Sequence, residues 1–389
     1  MRKALLVVAA VALLHADLAE AQARRHGRIP RTWLATGIGM AVGGTAAFIY
    51  ASARNPDLKD TCTSSSCVAT VSIVAGFVSG FLIGRELDQL YKLRYRHAPP
   101  LTLRGQSMPL SILPNDISSR GGAITAAGDG GVEVVMAGPR LERGDVRARG
   151  LRGVIAALPD PAGNHLFVST GSGLYGFALS GERVAGSLLV AGEVSAVALR
   201  NGNAVLINDG TIKSARVEGD SLVAVSPPRA FESRATDVAW DPERPVVWVL
   251  TETALVALAA SDAGLGDSVG ALPLPGTGRR LAVRGTTIAV AASEGGVLLV
   301  DATDPQAPRQ TAAWSLSRFA YDVALGGSSV YLAAGPEGLY VLEPRADGSL
   351  SPIGLARGLG FISALETEGA NLLLLDRTGG LLRRIPFPN

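Results

Sequence analysis

The chain has 389 residues, a formal net charge of +2, 47 glycines, 22 prolines and 18% charged residues. That length exceeds what one small core needs and implies two structural parts, while abundant glycine and proline with few charges suits short strands joined by tight turns. No long lysine or arginine tract is present, which excludes nucleic acid as an expected partner.

The first hundred residues carry the excess of apolar character. Met1-Arg2-Lys3 is a positive start, Ala4 to Leu14 has the length of a signal h-region, and Ala19-Glu20-Ala21 and Ala21-Gln22-Ala23 offer small-x-small cleavage sites. Residues 1–23 therefore read as a signal peptide. Two further apolar stretches, 33–52 and 67–84, each approach the ~20 residues that cross a hydrocarbon layer as a helix. Gly39 and Gly43 stand four apart in the first, and Gly76, Gly80 and Gly84 repeat that spacing in the second. Each helix thus has a bare ridge for close backbone approach, and residues 24–97 are expected to form a packed glycine-zipper hairpin that ends in an interfacial helix, 85–97. The same glycines make the hairpin a candidate for self-association.

Topology is left open by two opposing signals. Arg24, Arg25, Arg28 and Arg31 before the hairpin and Lys92, Arg94 and Arg96 after it favour cytosolic flanks by the positive-inside tendency. A cleaved signal places those flanks outside. The signal takes precedence in this reading, so the rest of the chain is expected in the cell envelope, outside the cytoplasm. A hairpin in an outer membrane, or one packed on a partner without crossing, would remove the conflict. Cys62 and Cys67 share the loop between the helices and would close a small disulfide if that loop faces an oxidising compartment.

Residues 98–100 contain the pair Pro99-Pro100, which stops the preceding helix and reads as a linker. A repeat follows. Ala126–Val135 (AAGDGGVEVV), Ala291–Val300 (AASEGGVLLV) and Ala333–Leu342 (AAGPEGLYVL) each give a strand end, a glycine turn and an apolar strand. Marking the last turn residue gives Gly131, Gly173, Gly210, Ala254, Gly296, Gly338 and Gly380, at intervals of 42, 37, 44, 42, 42 and 42 residues. That period is one four-stranded propeller blade, so 101–389 is expected to be an all-β, seven-bladed β-propeller. After Gly380 there is chain for a third strand but not a fourth. Leu101 to Leu113 is strand-like without a blade of its own, and is expected to supply the missing outer strand of blade seven.

Tyr321 to Glu343 and Leu281 to Pro305 resemble LVIVP-type propeller repeats, with an inner strand, a glycine turn, an apolar strand and an Asp-x-x-x-Pro-like exit. The match is good in blades five and six, partial in one, two and seven, and weak in three and four. The Trp-Asp signature of WD40 blades is missing. The resemblance implies a fold and an envelope or extracellular setting, and little about activity.

No catalytic constellation stands out. His165 is the one histidine of the 101–389 segment, which holds no cysteine, and it reads as a strand-edge residue; material for a zinc site or a Ser-His-Asp triad is lacking. Counting back 15 to 17 residues from the turn markers reaches the start of the inner strands, where Asp116, Glu193, Asp237, Arg280 and Asp322 stand. One reading has the four carboxylates converge on a channel mouth and bind Ca²⁺ or a cationic group, as in a metal-dependent hydrolase or lactonase-like propeller. The other has them accept backbone N–H bonds with Arg280 balancing their charge, and no cofactor. Trp248 alternates with Val247 and Val249 and reads as core, whereas Trp240 and Trp314 lie near strand ends, where rings often meet partners. The favoured function is a non-catalytic envelope platform that binds another protein or an envelope polymer.

Overall fold

Each repeat of the sequence folds as one four-stranded antiparallel sheet, and there are seven such sheets. The computed structural model describes residues 98–148, 150–160, 165–178, 186–218, 221–315 and 319–387, all in the unit Ala98–Asn389. The expected signal peptide, the glycine-bearing helices and the Cys62 to Cys67 loop lie outside the described residues. Among the described residues no helix is long and apolar enough to cross a membrane.

The inner strands of blades one to seven are Leu113–Arg120, Val154–Pro159, Val194–Arg200, Ala235–Trp240, Arg280–Arg284, Asp322–Gly326 and Ile362–Glu368. The second strand of each blade is nearly all apolar; in blade four it reads Val246–Thr251, VVWVLT, buried at every position. A continuous run rather than an alternation is what a strand needs when both its faces are covered. Its two faces go to different neighbours. Val247 and Val249 join a cluster with blade three, and Val246, Trp248 and Leu250 join one with blade five. Seven clusters result, one in every gap between consecutive blades, and the gap between blades seven and one is filled by Leu373, Leu375, Leu382, Ile117, Ile124 and Val135.

The ring shuts with the chain's own ends. Blade seven is built from Ile362–Glu368, Asn371–Asp376 and Leu381–Pro386, and its fourth strand is Gln106–Pro109. The pairing is antiparallel, Gln106 opposite Arg384 and Met108 opposite Leu382. This is the closure expected from the sequence, drawn more narrowly: Leu113 already opens blade one. Pro99 and Pro100, read as a linker, also engage the sheet, since Leu355 N–H donates to Pro99 O and Leu101 N–H to Leu355 O, both at 2.9 Å.

The glycine markers have a conformational cause. Gly131, Gly210, Gly296, Gly338 and Gly380 all have positive φ, where a side chain is strained. At Gly338 (φ 104°) an added Cβ would also collide with the Ala356 carbonyl oxygen. The two markers without positive φ use a hydroxyl instead: Thr170 Oγ1 accepts from Gly173 N–H at 2.9 Å and Thr251 Oγ1 from Ala254 N–H at 3.0 Å. That is why alanine is tolerated at 254.

Trp248 is fully buried, as its alternation predicted, and its Nε1 donates to Asp241 Oδ2 at 3.1 Å. Trp248→Phe keeps most of the ring but leaves that acceptor short of a donor. It is expected to cost about 2 kcal/mol, read as a lowered urea midpoint with an unchanged slope.

Candidate functional site

Side chains two apart along a strand point the same way, and the ladder register shows which positions are equivalent from blade to blade. The first tier of the channel consists of Asp116, Ala156, Ala196, Asp237, Arg280, Asp322 and Ala364, whose partners on the second strand are Ala127, Ser169, Ile207, Leu250, Ala291, Ala333 and Leu375. Four of the five residues singled out from the sequence therefore do share one ring. Glu193 does not. It lies ahead of the blade three strand, half-exposed, and pairs with Arg234 at 2.5 Å.

Within the ring the three aspartates surround one arginine. Arg280 of blade five reaches Asp116 of blade one, with Nη2 to Oδ1 at 3.1 Å, and its Nη1 lies 4.0 Å from Asp237 Oδ1. Blades five and one are on opposite sides of a seven-membered ring, so the guanidinium bridges the channel. The aspartates also stitch neighbouring blades. Asp237 accepts from Val238 N–H of its own strand and from Leu281 N–H of blade five, both at 2.9 Å. Asp322 repeats the pattern with Val323 N–H and Leu365 N–H of blade seven, both at 2.8 Å. Alanine at 156 and 196, both lining the channel, leaves room for the arginine.

Burial governs the protonation of this tier. It pushes the carboxyls of Asp116 and Asp237 up, against the pull of Arg280, and it pushes Asp322 up to about 8, opposed by Arg280 and the Leu365 N–H. Asp116 in turn holds Arg280 above the usual arginine range despite burial, with Asp237 and Asp322 adding to the effect.

Sequence reasoning missed several charged groups along the channel. Glu366 lies two positions beyond the first tier in blade seven; burial pushes it up to about 7, with the Thr367 N–H opposing and the Asp116 charge reinforcing the shift. Arg120 sits four positions beyond Asp116, donates to Leu199 O of blade three at 2.8 Å, and is lowered by burial against the charges of Glu366 and Asp160. Farther down, Arg200 donates to the carbonyls of Asp241 and Arg244, and Arg284 to that of Gly327, again from one blade to the next. The channel between these tiers has a volume of about 520 Å³.

Neither a metal centre nor a triad emerges from this geometry. Among the described residues no group of three or more His, Cys, Asp or Glu is placed to hold a metal ion, and the centre of the carboxylate ring is crossed by a guanidinium, which competes with any Ca²⁺ for the same oxygens. His165 faces Asp160 at 3.2 Å, at the strand edge expected for it. The two tryptophans weighed as contact residues are turned into the fold: Trp240 Nε1 donates to Ala198 O at 3.3 Å beneath Arg200, and Trp314 packs on Tyr340 with centroids 4.9 Å apart.

No family model matches the chain, and no curated protein sequence matches it. Solved structures do resemble it. One is described as "Crystal Structure of Mitotic Checkpoint Complex", with a TM-score of 0.60 at 11% identity, covering 75% of this chain and 97% of that one. The WD40 β-propeller domain of Doa1 gives 0.57 at 14% identity over 74% of this chain and 97% of its own. The structure of U3-55K gives 0.55 at 13% identity, with 73% and 97% covered. At such identities the likeness extends to the fold: from Ala98 onward this chain is a seven-bladed β-propeller.

Proposed function

We propose that the protein is a membrane-associated component of the cell envelope whose propeller is a non-catalytic platform for another envelope protein or polymer. The observation that carries this reading is how the channel charges are used. Arg280, Asp237, Asp322, Arg120, Arg200 and Arg284 are all engaged in bonds from blade to blade, so they brace a rigid ring instead of forming a reacting centre. The WD40 propeller among the similar structures supports an interaction role by analogy of fold. The LVIVP-like text of blades five and six supports an envelope setting. The signal-like residues 1–23 export the chain, and the hairpin at 24–97 anchors it with the propeller outside the cytoplasm.

Two experiments test the proposal. With the full chain carrying a reporter at Asn389, the anchor reading expects recovery in the membrane fraction and a reporter reached by protease from outside; a reporter protected in the cytosol sinks it. Cross-linking of the full chain in membranes addresses the hairpin. Gly80→Leu fills the bare ridge and is expected to abolish cross-linked oligomers, and oligomers of undiminished yield would remove the zipper from the account.

A further inference from the structure

The inner strands of blades one, three and five end alike. Arg120, Arg200 and Arg284 are the last residues of those strands, and each stands opposite the first residue of the second strand, which is Ala123, Asn203 or Thr287. They share a third tier, two positions beyond the second and at the far end of the channel from Asp116, Asp237 and Asp322. Arg284 is exposed and the other two are partly buried, so solvent reaches this tier.

The positive charge at this end has no counter-charge in contact with it. Arg120 gives Nη2 to Leu199 O, Arg200 gives Nη1 to the carbonyls of Asp241 and Arg244, and Arg284 gives Nη1 to Gly327 O. Those acceptors are neutral, and among the described residues none of the three arginines forms an ion pair. The acids at the same level are engaged within their own blades: Asp241 by Arg244 Nη2 at 2.5 Å, Glu368 by Arg384 Nε at 2.7 Å, and Asp160 faces His165 at 3.2 Å. The bracing bonds also leave nitrogens unused. Arg120 Nη1 is buried and has no hydrogen-bond partner among the described residues, a condition that an acceptor would relieve. The side chain lines the channel and is tied by Nη2 alone, so Nη1 can turn to an incoming group. Space lies beside it. The second tier is Ser118, Leu158, four alanines (198, 239, 282 and 324) and Glu366, and the chamber of about 520 Å³ is of a size that suits a small molecule. Glu366, whose charge acts on Arg120, is pushed up to about 7 by burial, so near neutral pH it opposes an anion only in part.

We infer that this end of the channel is a binding site for a small oxyanion, the carboxylate or phosphate group of a molecule that fits the chamber, held by Arg120 and Arg284. Arg200 adds its charge from beside Trp240, a residue of the channel wall. The planar guanidinium fork matches the oxygens of either anion and keeps its charge at any physiological pH. Arg280, at the other end, is already engaged by Asp116 and is not part of the site. The site goes beyond the platform reading and does not depend on it.

The test is calorimetric titration of the purified full chain with inorganic phosphate and with citrate, at constant ionic strength set by chloride. Saturable binding of at least one anion is expected, weakened at least about tenfold by Arg120→Gln and by Arg284→Gln. It should be unchanged by Arg279→Gln, which alters an exposed arginine at the start of the blade five strand. Glu366→Gln removes the opposing carboxylate and should tighten binding by about threefold or more at pH 8, where that side chain is charged. A gain of affinity cannot come from poor folding, so this arm reads the site even if an arginine variant is unstable. Tighter phosphate binding assigns the ligand to phosphate esters, and tighter citrate binding to carboxylates. No saturable heat from either anion up to about 10 mM, a loss as large with Arg279→Gln, or no gain with Glu366→Gln overturns the site, and each of these results leaves the platform reading standing.

Discussion

Deleting Gln106–Pro109 from the full chain is expected to lower the stability of the propeller by about 5 kcal/mol. Four ladder residues are lost from blade seven at roughly 1 kcal/mol each, and the partly buried Met108 withdraws from the cluster between blades seven and one at about 1 kcal/mol more. Side-chain ties go with them: Gln106 Nε2 donates to Pro139 O at 2.7 Å, Gln106 Oε1 accepts from Leu141 N–H at 2.8 Å, and Arg143 donates to Pro109 O. A loss of that size is a large part of the stability of an ordinary domain. It should appear as a drop of roughly 10 °C or more in Tm, with aggregation through the bared edge of Leu381–Pro386. A thermal scan that leaves the deletion variant within a degree or two of the parent would show that the ring does not depend on this strand.

Stability is also expected to fall as pH rises from about 4 to about 8. Asp322 is pushed up to about 8 and Glu366 up to about 7 by burial, and Asp116 and Asp237 move in the same direction. An unfolded chain releases these protons near pH 4. Between the two limits the folded state holds more protons than the unfolded one, so the stability present at low pH is lost as pH rises through the folded values, by up to about 1.4 kcal/mol per pH unit for each group. The aspartates lowered in the fold, Asp241, Asp301 and Asp347, act in the opposite sense; their gain is complete by about pH 5. Urea unfolding at a series of pH values checks this. Asp322→Asn should lose about 1 kcal/mol at pH 5, because its amide nitrogen cannot accept from the Leu365 N–H, yet should decline less between pH 6 and 8.5. A parallel decline in both proteins would mean that Asp322 ionises freely in the fold.

The blade count was legible because a positive φ demands glycine at the same turn, blade after blade, and Gly131, Gly296, Gly338 and Gly380 answer to it. Ala254 kept the period by another device, the Thr251 hydroxyl. The channel ring was harder to read, because the distance from turn to tier varies with local detail. In blade three the two-residue turn Asp209-Gly210, with φ of 49° and 76°, is tight, and the tier falls on Ala196 rather than Glu193. Register shifts at the start of five inner strands, including those beside Asp116 and Asp237, are absent beside Arg280 and Asp322, and nothing in composition announces a bulge. Glu366 escaped because its depth is that of the second tier, a position filled by alanine in four other blades. The role of Arg280 as a bridge depends on a contact 164 residues away along the chain, beyond the reach of any local pattern.

A clasp made from both ends of a domain has a kinetic cost. The strand Gln106–Pro109 leaves the ribosome some 270 residues before its partner Leu381–Pro386. At ordinary synthesis rates it waits roughly 14–55 s unpaired. Blade one, with its Ile117 and Ile124 face destined for blade seven, stays uncovered for the same interval. A nascent chain with that much apolar surface in view is a substrate for holding factors and for aggregation, so yield in the cell should respond to synthesis speed and chaperone supply far more than the finished ring would suggest.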